Sequence, residues 1–298
     1  LIFIGMIFVL FCMVLIMPSE EYETVNYDIP NMRDYYTHIK GNGEDKVTLM
    51  VYMVGSDLES DGGAASEDIA EMTAANVDNI NITLQTGGAA AWENASISDG
   101  KTERHIIKNG ELQNVENLGE AQMTSPNTLT DFIKWSASNY PADRYELVLW
   151  NHGGGTALGF GYDEMYPDDM LSLSQIGNAL SDSGIKFDIV GFDACLMGTI
   201  ETAYMLEPYA DYLVASEEYE PGTGWYYSEW LKNLSDNTSM PTVEIGKKIV
   251  EDYINGPDSS FFDSNTLSIV DLREIPYTYS KLCEIMQQEE GVLDSRYS

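Results

Sequence analysis

With 298 residues, 44% of them hydrophobic, the chain is long enough for one large domain or two small ones with a substantial core. Its 49 acidic and 15 basic residues give a formal charge of −34. That charge repels nucleic acid and anionic membrane surfaces, so binding built on phosphate contacts is excluded. It suits a cationic substrate, or serves only to keep an exported protein soluble.

In chain order, residues 1–17 carry no charge and read as an N-terminal membrane anchor or signal segment. Pro18-Ser19-Glu20-Glu21 follows with no small-residue cleavage site, which favours an uncleaved anchor holding an extracellular or cell-surface protein to the membrane. The first residue is Leu, so more chain is expected upstream. Residues 18–44 are acidic and aperiodic and read as a stalk or linker, with the folded domain over 45–298. Val47 to Val54 is a run rich in β-formers, hence a buried strand, and Ala64 to Asn76 has helical spacing. Ile80 to Gln85 is a strand, and the segment from His105 through Asn109-Gly110 to Leu112 is a hairpin, since Asn-Gly suits a tight turn. Helices are expected over 127–138 (capped by Asn127 or Ser125), 172–180, 197–206, 243–253 and 275–288. Strands are expected over 146–150, 187–192, 212–215 and 266–270. Apolar strands alternating with amphipathic helices imply an α/β fold, a mostly parallel sheet flanked by helices on both faces, with the hairpin as a small insertion. Ligands in such sheets bind beyond the carboxyl ends of the strands.

Two strand ends carry reactive side chains. One strand runs through Trp150-Asn151 into His152-Gly153-Gly154-Gly155; the other runs through Phe192-Asp193 into Ala194-Cys195-Leu196. If the strands are neighbours, His152 and Cys195 face one crevice. A cysteine attacks as thiolate, favoured beside an imidazolium or a helix N-terminus, and a helix is expected just after Cys195. His152 can hold the thiolate and protonate a leaving amine. The Gly153 and Cys195 N–H groups are candidates for an oxyanion hole, each donor contributing about 3 kcal/mol. His38 and His105 are assigned no role, and Cys283, in an apolar helical stripe, is read as core. Cys195 and Cys283 could form one disulfide, but two cysteines make neither a framework nor a metal cluster.

At these residues the sequence resembles the clostripain family of cysteine peptidases, relatives of caspases, legumain and gingipains. The matching segments are Tyr52 to Glu59, Trp150 to Gly155, Phe192 to Met197, Ala215 to Glu218 with Pro221 to Trp225, and Thr266 to Leu272. The resemblance implies a caspase-like fold, a Cys195–His152 dyad, and endopeptidase cleavage of protein or peptide substrates after Arg or Lys through a thioester acyl-enzyme. It also implies an acidic floor for the residue before the scissile bond. Asp193 holds the family's position, two residues before the nucleophile; Glu217 and Glu218 are further candidates, and a helix cap is the alternative for Asp193. No cofactor is required. The acidic loop 163–169 could ligate calcium, although it lacks the spacing of a defined calcium loop. Some family members mature by cutting a loop after the catalytic His at a basic residue, but no Lys or Arg occurs between Arg144 and Lys186, so self-cleavage there is not expected. They also continue past the point equivalent to Ser298, so a further C-terminal segment is expected. The competing reading is a catalytically inactive cell-surface binding protein that keeps the fold.

Overall fold

The computed structural model describes residues 37–167, 169–256 and 265–297, with 288–297 as backbone only. The segment 1–17, residues 18–36 of the stalk, and Asp168 of the acidic loop lie outside the described residues. Eight strands form one sheet: β1 (Val47–Val54), β2 (Asn81–Gly87), β3 (Thr102–Lys108), β4 (Glu111–Gly119), β5 (Arg144–Trp150), β6 (Phe187–Asp193), β7 (Ala210–Ala215) and β8 (Ser268–Asp271). The order is β4-β3-β2-β1-β5-β6-β7-β8. Strands β2, β1, β5, β6 and β7 run parallel, while β3, β4 and β8 pair antiparallel at the margins.

Alternation of side chains splits the central strands between two cores. Leu49, Val51, Met53, Val148, Trp150 and Ile189 pack under helices Ala64–Ala74, Ser228–Asp236 and Thr242–Asn255. Met50, Tyr52, Leu147, Leu149, Val190 and Phe192 pack under Pro126–Asn139, Leu173–Ser183 and Ile200–Leu206. Burial on both faces is why these strands read as continuous apolar runs. The hairpin forms as expected: Asn109 (φ 52°) and Gly110 (φ 71°) make the two left-handed turn positions between β3 and β4. Ser172 caps its helix in a reciprocal capping box with Gln175, and Ser125, not Asn127, occupies the cap position before Pro126. The helix Ser228–Asp236 was not legible in the sequence, and β8 is antiparallel to its neighbour.

The described end of the stalk is tied to the domain. Thr37 N–H donates to Asp211 at 3.0 Å, Lys40 pairs with Asp143 at 2.6 Å, and Gly43 N–H reaches Ser239 Oγ at 2.8 Å. At the amino end of the sheet, fully buried Arg144 donates to Asp188 at 2.6 Å, to the Thr238 and Met240 carbonyls at 2.9 and 2.7 Å, and to Thr242 Oγ1 at 3.0 Å. Glu146, buried nearby, is pushed up to about 8 by burial, with Arg144 opposing and Asp188 adding to the rise. Both Cys195 and Cys283 are free thiols, and Cys283 is half-buried where the sequence suggested core. Among the described residues no helix is long and apolar enough to cross a membrane.

Candidate active site

The site follows from one pairing register. Strands β5 and β6 are adjacent and parallel, with Trp150 opposite Asp193, and Asn151 N–H donates to the Asp193 carbonyl at 3.2 Å. Residues two further on, His152 and Cys195, therefore leave their strands side by side. Contact between the tips is tight: a Cβ built at Gly153 would lie 2.0 Å from the Cys195 carbonyl oxygen, so no side chain fits there. Both proposed oxyanion donors belong to these touching backbones.

His152 is half-exposed and its Nε2 lies 2.8 Å from Asp57 Oδ1. An ionised carboxylate only accepts, so Nε2 carries the proton and Nδ1 is left for the reacting groups. Partial burial raises the Asp57 pKa, but the hydrogen bond and charge of His152, with a further hydrogen bond from Ser56, hold it below the usual value. Asp57 follows β1, the strand next to β5, through a sharp turn at Ser56 (φ 52°). Asn151 locks this corner: its Nδ2 donates to Val54 O at 2.5 Å and Ser56 Oγ at 2.8 Å, and its Oδ1 accepts from Tyr162 N–H. The Tyr162 ring meets the imidazole edge-on, 6.4 Å between centroids. Neither Asp57 nor Asn151 was given a role from sequence. Both sit in segments that carried the family resemblance, which was the only signal available.

Cys195 does not sit directly at a helix N-terminus. Leu196 is left-handed (φ 64°), Gly198 N–H pairs with Ser216 O at 2.7 Å, and the helix starts at Ile200, capped by Thr199. The expected help from a helix dipole immediately after the thiol is thus corrected. A different donor is present: Glu220 N–H lies 3.3 Å from Cys195 Sγ. The loop after β7 reaches the nucleophile because Leu196 N–H binds the Glu218 carbonyl at 2.9 Å.

The three acidic candidates separate. Glu217 and Glu218 are exposed, and Glu217 accepts from Ser268 Oγ at 2.5 Å. Asp193 is buried on the same side of the sheet as Cys195, but both its oxygens are occupied. Trp225 N–H is 3.2 Å from each, and the Tyr227 hydroxyl donates to Oδ2 at 2.8 Å. It caps no helix, so that alternative is set aside. Burial raises its pKa, with hydrogen bonds from Tyr227, Trp225 and the Glu220 carboxyl opposing.

The remaining histidines and the acidic loop stay outside this arrangement. His105 is buried with Nε2 3.0 Å from Thr86 Oγ1, and burial lowers it to about 4 against the pull of Glu103. Asp163 accepts from Met123 N–H at 2.8 Å and Met165 N–H at 2.9 Å, while Glu164 accepts from Ser60 and Ala90, both at 2.8 Å. These carboxylates tie the loop to the segments around Ser60, Ala90 and Met123. Among the described residues no three His, Cys, Asp or Glu side chains are grouped to hold a metal.

A mixed sheet with helices on both faces, bearing a histidine and a cysteine on adjoining strand tips, defines a caspase-like α/β protein. The chain belongs to the clostripain family: that family's model matches residues 51–293. Clostripain of Hathewaya histolytica is 32% identical over 225 residues, covering 63% of this chain and 42% of the relative, so the chain spans about two fifths of that protein's length. A secreted C11 cysteine protease from Bacteroides thetaiotaomicron, solved with an irreversible peptide inhibitor, is similar with TM-score 0.66 and 22% identity, covering 81% of this chain and 70% of the other. An inactive zymogen C11 protease from Parabacteroides distasonis is similar with TM-score 0.59 and 23% identity, covering 78% and 63%.

Proposed function

We propose that the chain is a cysteine endopeptidase that cleaves peptide bonds after Arg or Lys. Cys195 Sγ attacks the scissile carbonyl, His152 delivers a proton to the leaving amine, and water drawn by His152 resolves the thioester. The Gly153 and Cys195 N–H groups receive the oxyanion, and the Glu220 N–H favours the thiolate before attack. The observation that carries this reading is the register of Trp150 with Asp193, which delivers His152 and Cys195 from neighbouring strands. The reaction calls on no cofactor. Export, with residues 1–17 as membrane anchor, accords with the apolar leader and with the secreted state of the Bacteroides relative.

A panel of peptide amides differing only in the residue before the cut tests the specificity. Turnover of Arg and Lys peptides well above norleucine and Glu peptides is expected; equal turnover, or a preference for Glu, would refute it.

Asp57 acts on the reaction through His152. Asp57→Asn is expected to lower kcat/KM about 10-fold or more, because the imidazole loses its acceptor and its fixed orientation. With its pKa depressed, Asp57 stays ionised through the usual carboxylate range, and its acceptance from His152 is lost as pH falls through the lowered value. Asp57→Asn lacks the pairing at every pH, so the parent's advantage over it should shrink as pH falls through that lowered value. Superimposable pH–rate profiles would rule this role out.

A further inference from the structure

The crevice at the strand tips has two walls of different chemistry. Cys195 lies between them, because β6 runs between β5 and β7 in the sheet. The wall that follows β7 is acidic, with Glu217, Glu218 and Glu220 close together in sequence. The wall that follows β5 is not. Residues 151–162 contain no Asp, Glu, Lys or Arg, in a chain whose formal charge is −34. Asp57, the carboxylate that reaches this side, is already paired with His152 at 2.8 Å.

The uncharged wall is a closed knob. Gly161 N–H donates to the His152 carbonyl at 3.0 Å, Gly154 N–H to the Gly159 carbonyl at 2.8 Å, and Gly159 N–H to the Gly155 carbonyl at 2.9 Å. Phe160 anchors its base: it is buried, exchanges two backbone bonds with Leu171 at 2.9 and 2.8 Å, and meets the Phe192 ring at 5.9 Å. Gly155 (φ 60°) stands against the residue after the nucleophile, since a Cβ there would lie 3.2 Å from the Leu196 carbonyl oxygen. Leu158 fills the space beside Gly154, where a Cβ would come within 2.5 Å of Leu158 Cβ. The backbone of Leu158 is thus fixed in the short helix Gly155–Leu158, while the residue is 65% exposed. An apolar side chain on a rigid mount at the rim of the site can be covered without first ordering a loop.

We propose that Leu158, with Gly154 beneath it, recognises the residue that follows the scissile bond and selects an uncharged, apolar side chain there. This rests on the peptidase reading above and extends it to the other half of the substrate. The side is set by the chemistry. His152 hands its proton to the leaving amine, so that amine and the residue bearing it lie against the histidine's own loop. The acyl half, bonded to Sγ, lies toward the loop after β7. A leucine or methionine laid over Leu158 removes apolar surface of both from water. An Asp, Glu or Lys in the same place gives up hydration to a wall that offers it no partner.

The experiment uses internally quenched peptides with Arg before the cut and Leu, Gly or Asp after it. They are tested on the parent protein, Leu158→Ser, Leu158→Met, and two controls at other exposed apolar positions, Met165→Ser and Tyr219→Ser. Each ratio of kcat/KM is taken within one protein, so a general loss of activity or of folded material cancels. The parent is expected to favour Leu over Gly about 10-fold, and Leu over Asp by more. Leu158→Ser should bring Leu and Gly within about 2-fold of each other, while Leu158→Met and both controls keep the parent ratio. An unchanged ratio in Leu158→Ser, no preference in the parent, or a collapse in Tyr219→Ser or Met165→Ser overturns the assignment. The ratio of Arg to norleucine before the cut, measured alongside, reads the basic specificity separately. Its absence defeats that specificity and leaves the preference after the cut standing, whereas peptides that are not cut at all defeat both.

Discussion

Cys195→Ala is expected to abolish peptide-amide hydrolysis, and His152→Ala to lower kcat/KM by roughly 10²- to 10⁴-fold. The asymmetry has a physical origin. Without sulfur there is no atom to form the thioester, so the covalent route is closed outright. Without imidazole the thiol remains, lightly assisted by the Glu220 N–H at 3.3 Å, but no group delivers a proton to the leaving amine. An activated ester, whose leaving group needs no proton, should therefore be spared more than an amide in His152→Ala. Because the two residues act as one unit, the double variant should be no worse than Cys195→Ala alone. Burst kinetics with the ester, beside steady-state amide turnover, would read all three. Full amide activity in either single variant would remove the dyad, and alkylation of Cys195 without turnover would favour the inactive binding protein.

The largest effect on stability is expected at the opposite end of the same sheet. Arg144→Leu should cost about 3–5 kcal/mol, since it leaves the buried Asp188 carboxylate without its cation and two carbonyls without donors. Asp188 is already short of partners, with Oδ1 unmatched among the described residues. Only Thr242 Oγ1, at 3.1 Å from Oδ2, would remain to it. Arg144→Leu combined with Asp188→Leu should recover part of the loss, because the isolated buried charge disappears as well. Urea denaturation followed by far-ultraviolet circular dichroism measures the difference. A loss under about 1 kcal/mol for Arg144→Leu would mean that water enters and solvates the site.

The central strands, and the placement of His152 and Cys195 just beyond their ends, were legible because one physical cause produces both signals. Strands buried on two faces must be apolar throughout, so β1, β5 and β6 stand out, and a reactive residue just beyond such a run lies at the ligand-binding edge. Contacts between strand ends are a different matter. Asp57 and His152 are 95 residues apart and meet because β1 lies beside β5, an adjacency that hydrophobic spacing does not encode. The helix 200–206 starts later than its apolar pattern suggested because Leu196 turns left-handed and Gly198 is drawn onto Ser216. Ser228–Asp236 was not expected from the sequence, although its buried Trp230, Leu231 and Leu234 do follow helical spacing.

The absence of a side chain at Gly153 has a mechanical consequence. With the Cys195 carbonyl filling the space where a methyl group would go, the two tips behave as a jaw of fixed gape. Neither can slide or rotate past the other without breaking the ladder beneath. Sliding of one strand tip past the other is therefore opposed by backbone, and freedom at this edge is left to the side chains.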